Sequence, residues 1–311
     1  MAIFSRYLWR LQENDRKTMT GMARRDRPGR MLQLKYGQTH YELDKEPDKP
    51  LLICIHGWST ASYVWDPLKP LLRAKGYRVL TYDLYGRGYS DRPDVLHSAE
   101  LFTYQLTELL NKLGLNDTKL NVIGYSMGGA IAARFVSERL EDVERLLLIA
   151  PAGMEVRSPG LRRFVRNNPK FSNPHIQTLL PLVLRAQFRS AAAGFKGNQM
   201  VQKVARKQKR ELEFRGYLPS LLSSLNGALA SKMKTEHEKI AGAKVAVRAI
   251  FADQDKTVPY PTAKRLFDKW NPNGVSQTIT GAGHAITYTH AQQIMKEVAE
   301  FFQLSSPGVS Q

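Results

Sequence analysis

The sequence predicts an α/β fold, a mostly parallel sheet flanked by helices and interrupted by an inserted helical cap. Three observations predict it. Short apolar runs alternate with helix-patterned stretches over residues 31–153. The alternation stops over 154–240, where no buried-strand run occurs, and it resumes over 241–304. Repeated strand–helix units build a parallel sheet covered by helices on both faces, so the middle block reads as an insertion joined to that sheet at both ends.

The elements follow in order. Leu51-Leu52-Ile53-Cys54-Ile55 is apolar at every position, as a strand buried on both faces must be. Pro67 to Lys75 has helical patterning and meets Gly76, a residue suited to a helix C-cap. Tyr77 to Tyr82 reads as a strand, Ser98 to Leu113 as a helix stopped by Gly114, and Leu120 to Gly124 as a strand. Met127 to Glu138 is the next helix and Val143 to Ala150 the next buried strand. Pro159, Pro174, Pro181 and Pro219 break the helical block. After it come a strand over Val245–Phe251, a helix over Thr262–Trp270, a strand over Val275–Ile279 and a helix over His290–Phe302. Residues 305–311 read as a frayed, disordered tail.

Composition excludes several classes. Apolar residues are 42% and charged residues 24% of the 311, the balance of a chain that buries a core. The single cysteine, Cys54, excludes an internal disulfide framework, and its apolar run makes it a small buried hydrophobe rather than a reactive thiol. No apolar stretch approaches the roughly 20 residues of a membrane span, and arginines interrupt the N-terminus before a signal-peptide core forms. A cytoplasmic, reduced compartment fits, with peripheral contact at a membrane surface left open. The net charge of +18 is unevenly placed. Residues 1–30 carry +5, 31–153 carry −1, 154–240 carry +12 and 241–311 carry +2.

The residues that carry chemistry sit at predicted strand ends. Gly124-Tyr125-Ser126-Met127-Gly128 lies between a strand and a helix. That is the context of a nucleophile elbow, in which a tight turn holds the serine hydroxyl clear of the sheet and only small residues fit on either side. A glycine-rich helix start that merely packs tightly is the bland alternative. A serine hydroxyl needs a base. Of the seven histidines, His284 lies between the last strand and the last helix and reaches the same sheet edge. Asp253 and Asp255 both follow the strand ending at Phe251; Asp255 is preferred as the orienting acid because the Pro259 turn presents the residue four before it, which leaves Asp253 as a turn or capping residue. Backbone amides of Met127, directly after the nucleophile, and of Trp58, in the loop His56-Gly57-Trp58, are the expected oxyanion donors. No histidine–carboxylate cluster at ligand spacing and no phosphate-cradling loop occurs, so no metal or organic cofactor is implied.

Together the elbow, the His56-Gly57 loop, Asp83-Leu84-Tyr85-Gly86-Arg87-Gly88-Tyr89-Ser90, the Asp255…Pro259 segment and Gly283-His284 resemble the α/β-hydrolase superfamily over residues 31–303. They are most similar to its lipase, carboxylesterase and meta-cleavage-product hydrolase branch. The resemblance implies a Ser126–His284–Asp255 triad, a structural role for Asp83 and Gly86–Ser90, and a cap at 154–240. Ala252 stands where that family often has glycine. The aspartate elbow of epoxide hydrolases and haloalkane dehalogenases is replaced here by Ser126, and the tryptophan-bearing elbow of proline iminopeptidases is absent. The expected activity is a serine esterase or lipase acting on an ester or lipid-like small molecule. A carbon–carbon bond hydrolase on dienoates and a non-catalytic binding protein on the same fold are the alternatives, and the intact triad argues against the last.

Two basic regions point to partners. Ile3, Phe4, Tyr7, Leu8 and Leu11 recur at helical spacing beside Arg6 and Arg10, the pattern of a helix lying on an anionic membrane or packing on the body of the protein. Lys203-Val204-Ala205-Arg206-Lys207-Gln208-Lys209-Arg210 could meet lipid headgroups or an anionic substrate, or form a solvated face. Nucleic acid is disfavoured, because no aromatic platform accompanies these lysines.

Overall fold

The computed structural model describes residues 13–116, 118–154, 174–230 and 232–302. The amphipathic segment over residues 3–11, the first part of the inserted block and the tail after Leu304 lie outside the described residues. An 8-stranded sheet runs in the order β1-β2-β4-β3-β5-β6-β7-β8. Its strands are β1 (Arg30–Leu34), β2 (Gly37–Leu43), β3 (Leu51–Ile55), β4 (Arg78–Tyr82), β5 (Leu120–Tyr125), β6 (Val143–Ile149), β7 (Ala246–Ala252) and β8 (Val275–Ile279). From β4 to β8 all neighbours are parallel. β1 and β2 are antiparallel additions at one edge. They escape the sequence reading because both mix exposed, half-buried and buried positions, so neither gives a continuous apolar run.

The core forms on both faces, as the β3 pattern requires. Leu51, Ile53 and Ile55 enter one apolar cluster with residues of α2 (Ala99–Leu113), α3 (Met127–Ser137) and α8 (Tyr260–Trp270). Leu52 and Cys54 enter the other, with residues of α1 (Lys69–Ala74) and α10 (Ala291–Phe301). Burial pushes the Cys54 thiol far above its ordinary range, so it stays protonated. The end of α2 matches its predicted signal, whereas Pro181, expected as a break, lies inside a continuous helix over Pro174–Ala193. Ser98 caps α2 by accepting from the Leu101 N–H, and Gly114 ends it at φ 68.

The described part of the inserted block comprises α4 (Pro174–Ala193), α5 (Gln199–Glu211) and α6 (Tyr217–Asn226). It has its own small apolar core, in which Leu180, Leu184 and Phe188 pack with Leu218, Leu221, Leu222 and Leu225. The block ends earlier than residue 240. Met233 and Ile240, at either end of α7 (Lys234–Ala241), belong to the sheet's own core, because α7 packs on α3. One short helix, α9 (Ile286–Thr289), precedes α10 and went unpredicted, since a single turn carries no periodicity to detect.

Among the described residues no helix is long and apolar enough to cross a membrane.

Candidate active site

Ser126 sits where β5 turns into α3, at φ 54 and ψ −119, a strained conformation for a residue with a side chain. Its neighbours impose the turn. A Cβ on Gly128 would lie 2.1 Å from the Ile55 carbonyl oxygen, and one on Gly124 would lie 2.4 Å from the Gly128 oxygen. The serine's own backbone is pinned as well. Its N–H donates to the Ile149 carbonyl at 2.9 Å, and its carbonyl accepts from the Gly129 and Ala152 N–H groups.

Asp255 and His284 arrive from the ends of β7 and β8. Asp255 Oδ1 accepts the backbone N–H of Thr257 at 2.7 Å and of Val258 at 2.9 Å, which fixes the carboxylate. Asp255 Oδ2 lies 2.6 Å from His284 Nδ1, and His284 Nε2 lies 2.9 Å from Ser126 Oγ. A carboxylate only accepts, so Nδ1 carries the proton and Nε2 is left to accept from the serine hydroxyl. All three side chains expected to act together are therefore in contact. Asp253 takes the other role expected for it, since its Oδ1 accepts from the Gly281 N–H at 2.8 Å and holds the loop leading to His284.

The loop after β3 lies against the serine. A Cβ on Gly57 would come within 3.2 Å of both the Ser126 Cβ and the Tyr125 ring, so the close approach depends on glycine here. Among the described residues neither the Trp58 nor the Met127 amide donates to another protein group. Met127 is fully buried, which makes its free N–H a group in want of an acceptor. His56 holds this loop in place. Its Nε2 accepts from the Leu84 N–H at 2.9 Å and its Nδ1 donates to the Gly57 carbonyl at 2.8 Å, an arrangement that needs the neutral ring. Burial lowers it to about 4, in agreement.

Three supporting contacts were not foreseen, one of them made by Arg87 of the Gly86–Ser90 stretch that the resemblance marks as structural. Tyr125 donates its hydroxyl to the His284 carbonyl at 2.8 Å and sets its ring 5.5 Å from the imidazole. Arg87, fully buried, donates to the Trp58 carbonyl at 3.0 Å and to Ser224 Oγ of α6 at 2.7 Å, tying the amide-bearing loop to the inserted block. His97 faces the same guanidinium at 3.1 Å, and burial and that charge depress it to about 3. Asp83, expected as structural, accepts from Ser62 N–H and Tyr89 N–H and pairs with His40. Burial opposes its charge, but the His40 contact outweighs it and holds the carboxyl well below its ordinary value. Long-range links of this kind leave no local sequence pattern.

A cavity of about 420 Å³ opens over Ser126 and His284. Its walls come from the sheet loops through Trp58, Tyr125 and Tyr288, and from the inserted block through Gln187, Phe188 and Gln208. A hydroxyl aligned on an imidazole, with unpaired amides nearby and a partly apolar pocket above, is able to attack a bound carbonyl carbon.

Known proteins resemble this chain. A family model described as alpha/beta hydrolase family matches residues 52–297. A putative non-heme chloroperoxidase from a Synechocystis species is 25% identical over 81% of this chain and 91% of its own length. A 2-hydroxymuconate semialdehyde hydrolase from a Pseudomonas species is 26% identical over 80% of this chain and 86% of its own. The crystal structure of an enol-lactonase from Burkholderia xenovorans superposes with a TM-score of 0.70 at 19% identity, covering 88% of this chain and 99% of that one, a likeness of fold.

Proposed function

The chain belongs to the alpha/beta hydrolase family, and from that premise we propose that it is a serine hydrolase cleaving carboxylic esters through an acyl-enzyme on Ser126. The observation that carries this reading is the unbroken chain from Asp255 Oδ2 through the His284 ring to Ser126 Oγ, at 2.6 and 2.9 Å. Ser126 Oγ attacks the ester carbonyl while His284 Nε2 takes its proton. The Met127 and Trp58 amides receive the developing oxyanion, and Asp255 stabilises the imidazolium. His284 returns the proton to the leaving alcohol oxygen as the acyl-enzyme forms. Water then attacks the acyl carbon by the same route, restoring Ser126. The inserted helices act as a cap whose Gln187, Phe188 and Gln208 shape the acyl or alcohol pocket.

A second reading is carbon–carbon bond hydrolysis of the meta-cleavage-product type, which the likeness to the Pseudomonas hydrolase supports. Turnover of short p-nitrophenyl esters, monoacylglycerols and dienoates, by the wild type and by Ser126→Ala, tests both. Ester turnover that disappears in the variant supports the first reading. Dienoate cleavage with inert esters supports the second, and no Ser126-dependent turnover on the whole panel defeats both.

A further inference from the structure

The inserted block turns an unusual face to solvent. On α4, Leu179, Leu182 and Val183 are 56%, 57% and 50% exposed, while Leu180, Leu184 and Phe188 of the same helix are buried in the block's own core. Exposed positions at i, i+3 and i+4 form one stripe, which Ala186 and Ala193 continue down the helix with small residues. Arg185 and Arg189 are exposed along the edge of that stripe. The helix is thus apolar on the side away from the protein as well as toward it, unlike an ordinary surface helix.

Charge identifies the occupant. α5 packs on α4 and exposes Lys203, Arg206 and Lys209. Among the described residues none of these three, nor Arg185 or Arg189, is in an ion pair. The whole block carries +12, against −1 for residues 31–153. Apolar side chains with unpaired cations beside them on the same helix and on the helix packed against it fit a surface that is anionic outside and hydrocarbon within. A nucleic acid would leave the leucines unused, having no aromatic platform to stack on. A second copy of this chain would bring an equally positive block against this one.

We propose that α4 docks the protein on anionic lipid bilayers, with Leu179, Leu182 and Val183 inserted among the acyl chains and the basic residues of α4 and α5 on the headgroups. Gln187, Phe188 and Ser190 of the same helix line the cavity over Ser126. Docking therefore sets the cavity beside the bilayer, which suits a substrate that partitions into lipid. The surface itself does not depend on which bond Ser126 attacks.

The test is co-sedimentation of the full chain with vesicles of phosphatidylcholine alone and of about three parts phosphatidylcholine to one part phosphatidylglycerol. The wild type should bind the mixed vesicles in low salt and leave them as salt rises. A Leu179→Ser, Leu182→Ser, Val183→Ser triple variant changes only exposed side chains; it should keep its thermal melt and lose binding by at least about tenfold. Arg185→Gln and Arg189→Gln should each weaken binding by about fivefold. Binding that survives the triple substitution overturns the proposal, as does equal binding to neutral vesicles. So does a wild-type dimer in light scattering that the triple variant dissociates, or capture of an oligonucleotide without vesicle binding.

Discussion

The sheet domain and the inserted block divide the work of the molecule differently. In the sheet, residues 31–153 carry a formal charge of −1, and the reacting groups sit nearly buried at strand ends, with Ser126 6% and Asp255 7% exposed. Residues 154–240, which contain the block, carry +12, and the telling features there are exposed. The difference places the strained turns and the Ser126–His284–Asp255 contacts in the sheet layer, and the exposed apolar and basic side chains in a layer that packs on it through Val201 and Val204 and through polar ties. Arg87 and Trp58 supply two of those ties. Arg87 bonds Ser224 of α6, and the Trp58 indole N–H donates to the Leu221 carbonyl at 2.9 Å.

The sharpest way to break this division is at the nucleophile. Ser126→Ala should lower ester turnover by about 10⁶-fold with the thermal melt preserved, measured with a p-nitrophenyl ester. Residual activity within tenfold of wild type would move the chemistry elsewhere. Next comes Asp255→Asn, which leaves Oδ1 to its backbone partners but favours the wrong His284 tautomer. It should lower kcat by about 10⁴-fold with KM little changed. Gly128→Ala probes the backbone claim. Its Cβ would press on the Ile55 carbonyl at 2.1 Å, so urea unfolding should show a loss of about 3 kcal/mol.

The smallest effect tests the seam between the layers. Glu211, at the end of α5, accepts the Gly88 N–H at 3.1 Å and faces Arg92 at 3.6 Å, with Asp83 and Arg87 close by. Burial pushes its carboxyl up from 4.5 to about 7, the Arg92 charge only partly opposing this. The unfolded chain then loses this proton first as pH climbs, so stability falls between those two values. The wild-type Tm should drop relative to Glu211→Gln by a few degrees from about pH 5 to about pH 8. Parallel curves would show that the seam does not hold this group neutral.

Much of this was legible in the sequence, for physical reasons. A strand buried on both faces must be apolar throughout, so Leu51–Ile55 declared itself, and only glycine fits around a strained serine, so the elbow did too. Asp255 and His284 followed because a parallel sheet delivers successive strand ends to one edge. β1 and β2 were hidden by their mixed burial. Tyr125 stands in the elbow, yet its bond to the His284 carbonyl spans 159 residues and shows only in three dimensions. Arg87 lies in the Gly86–Ser90 stretch that the resemblance marks as structural, yet its bonds to Trp58 and Ser224 join residues far apart in the chain.

The central claim is that Ser126 is an activated nucleophile, and its most direct test is labelling by a fluorophosphonate followed by peptide mapping. One phosphonyl group should add to the intact chain, on the peptide carrying Ser126, and His284→Ala should suppress it. A folded protein that takes no label, or takes it on another residue, would contradict the account.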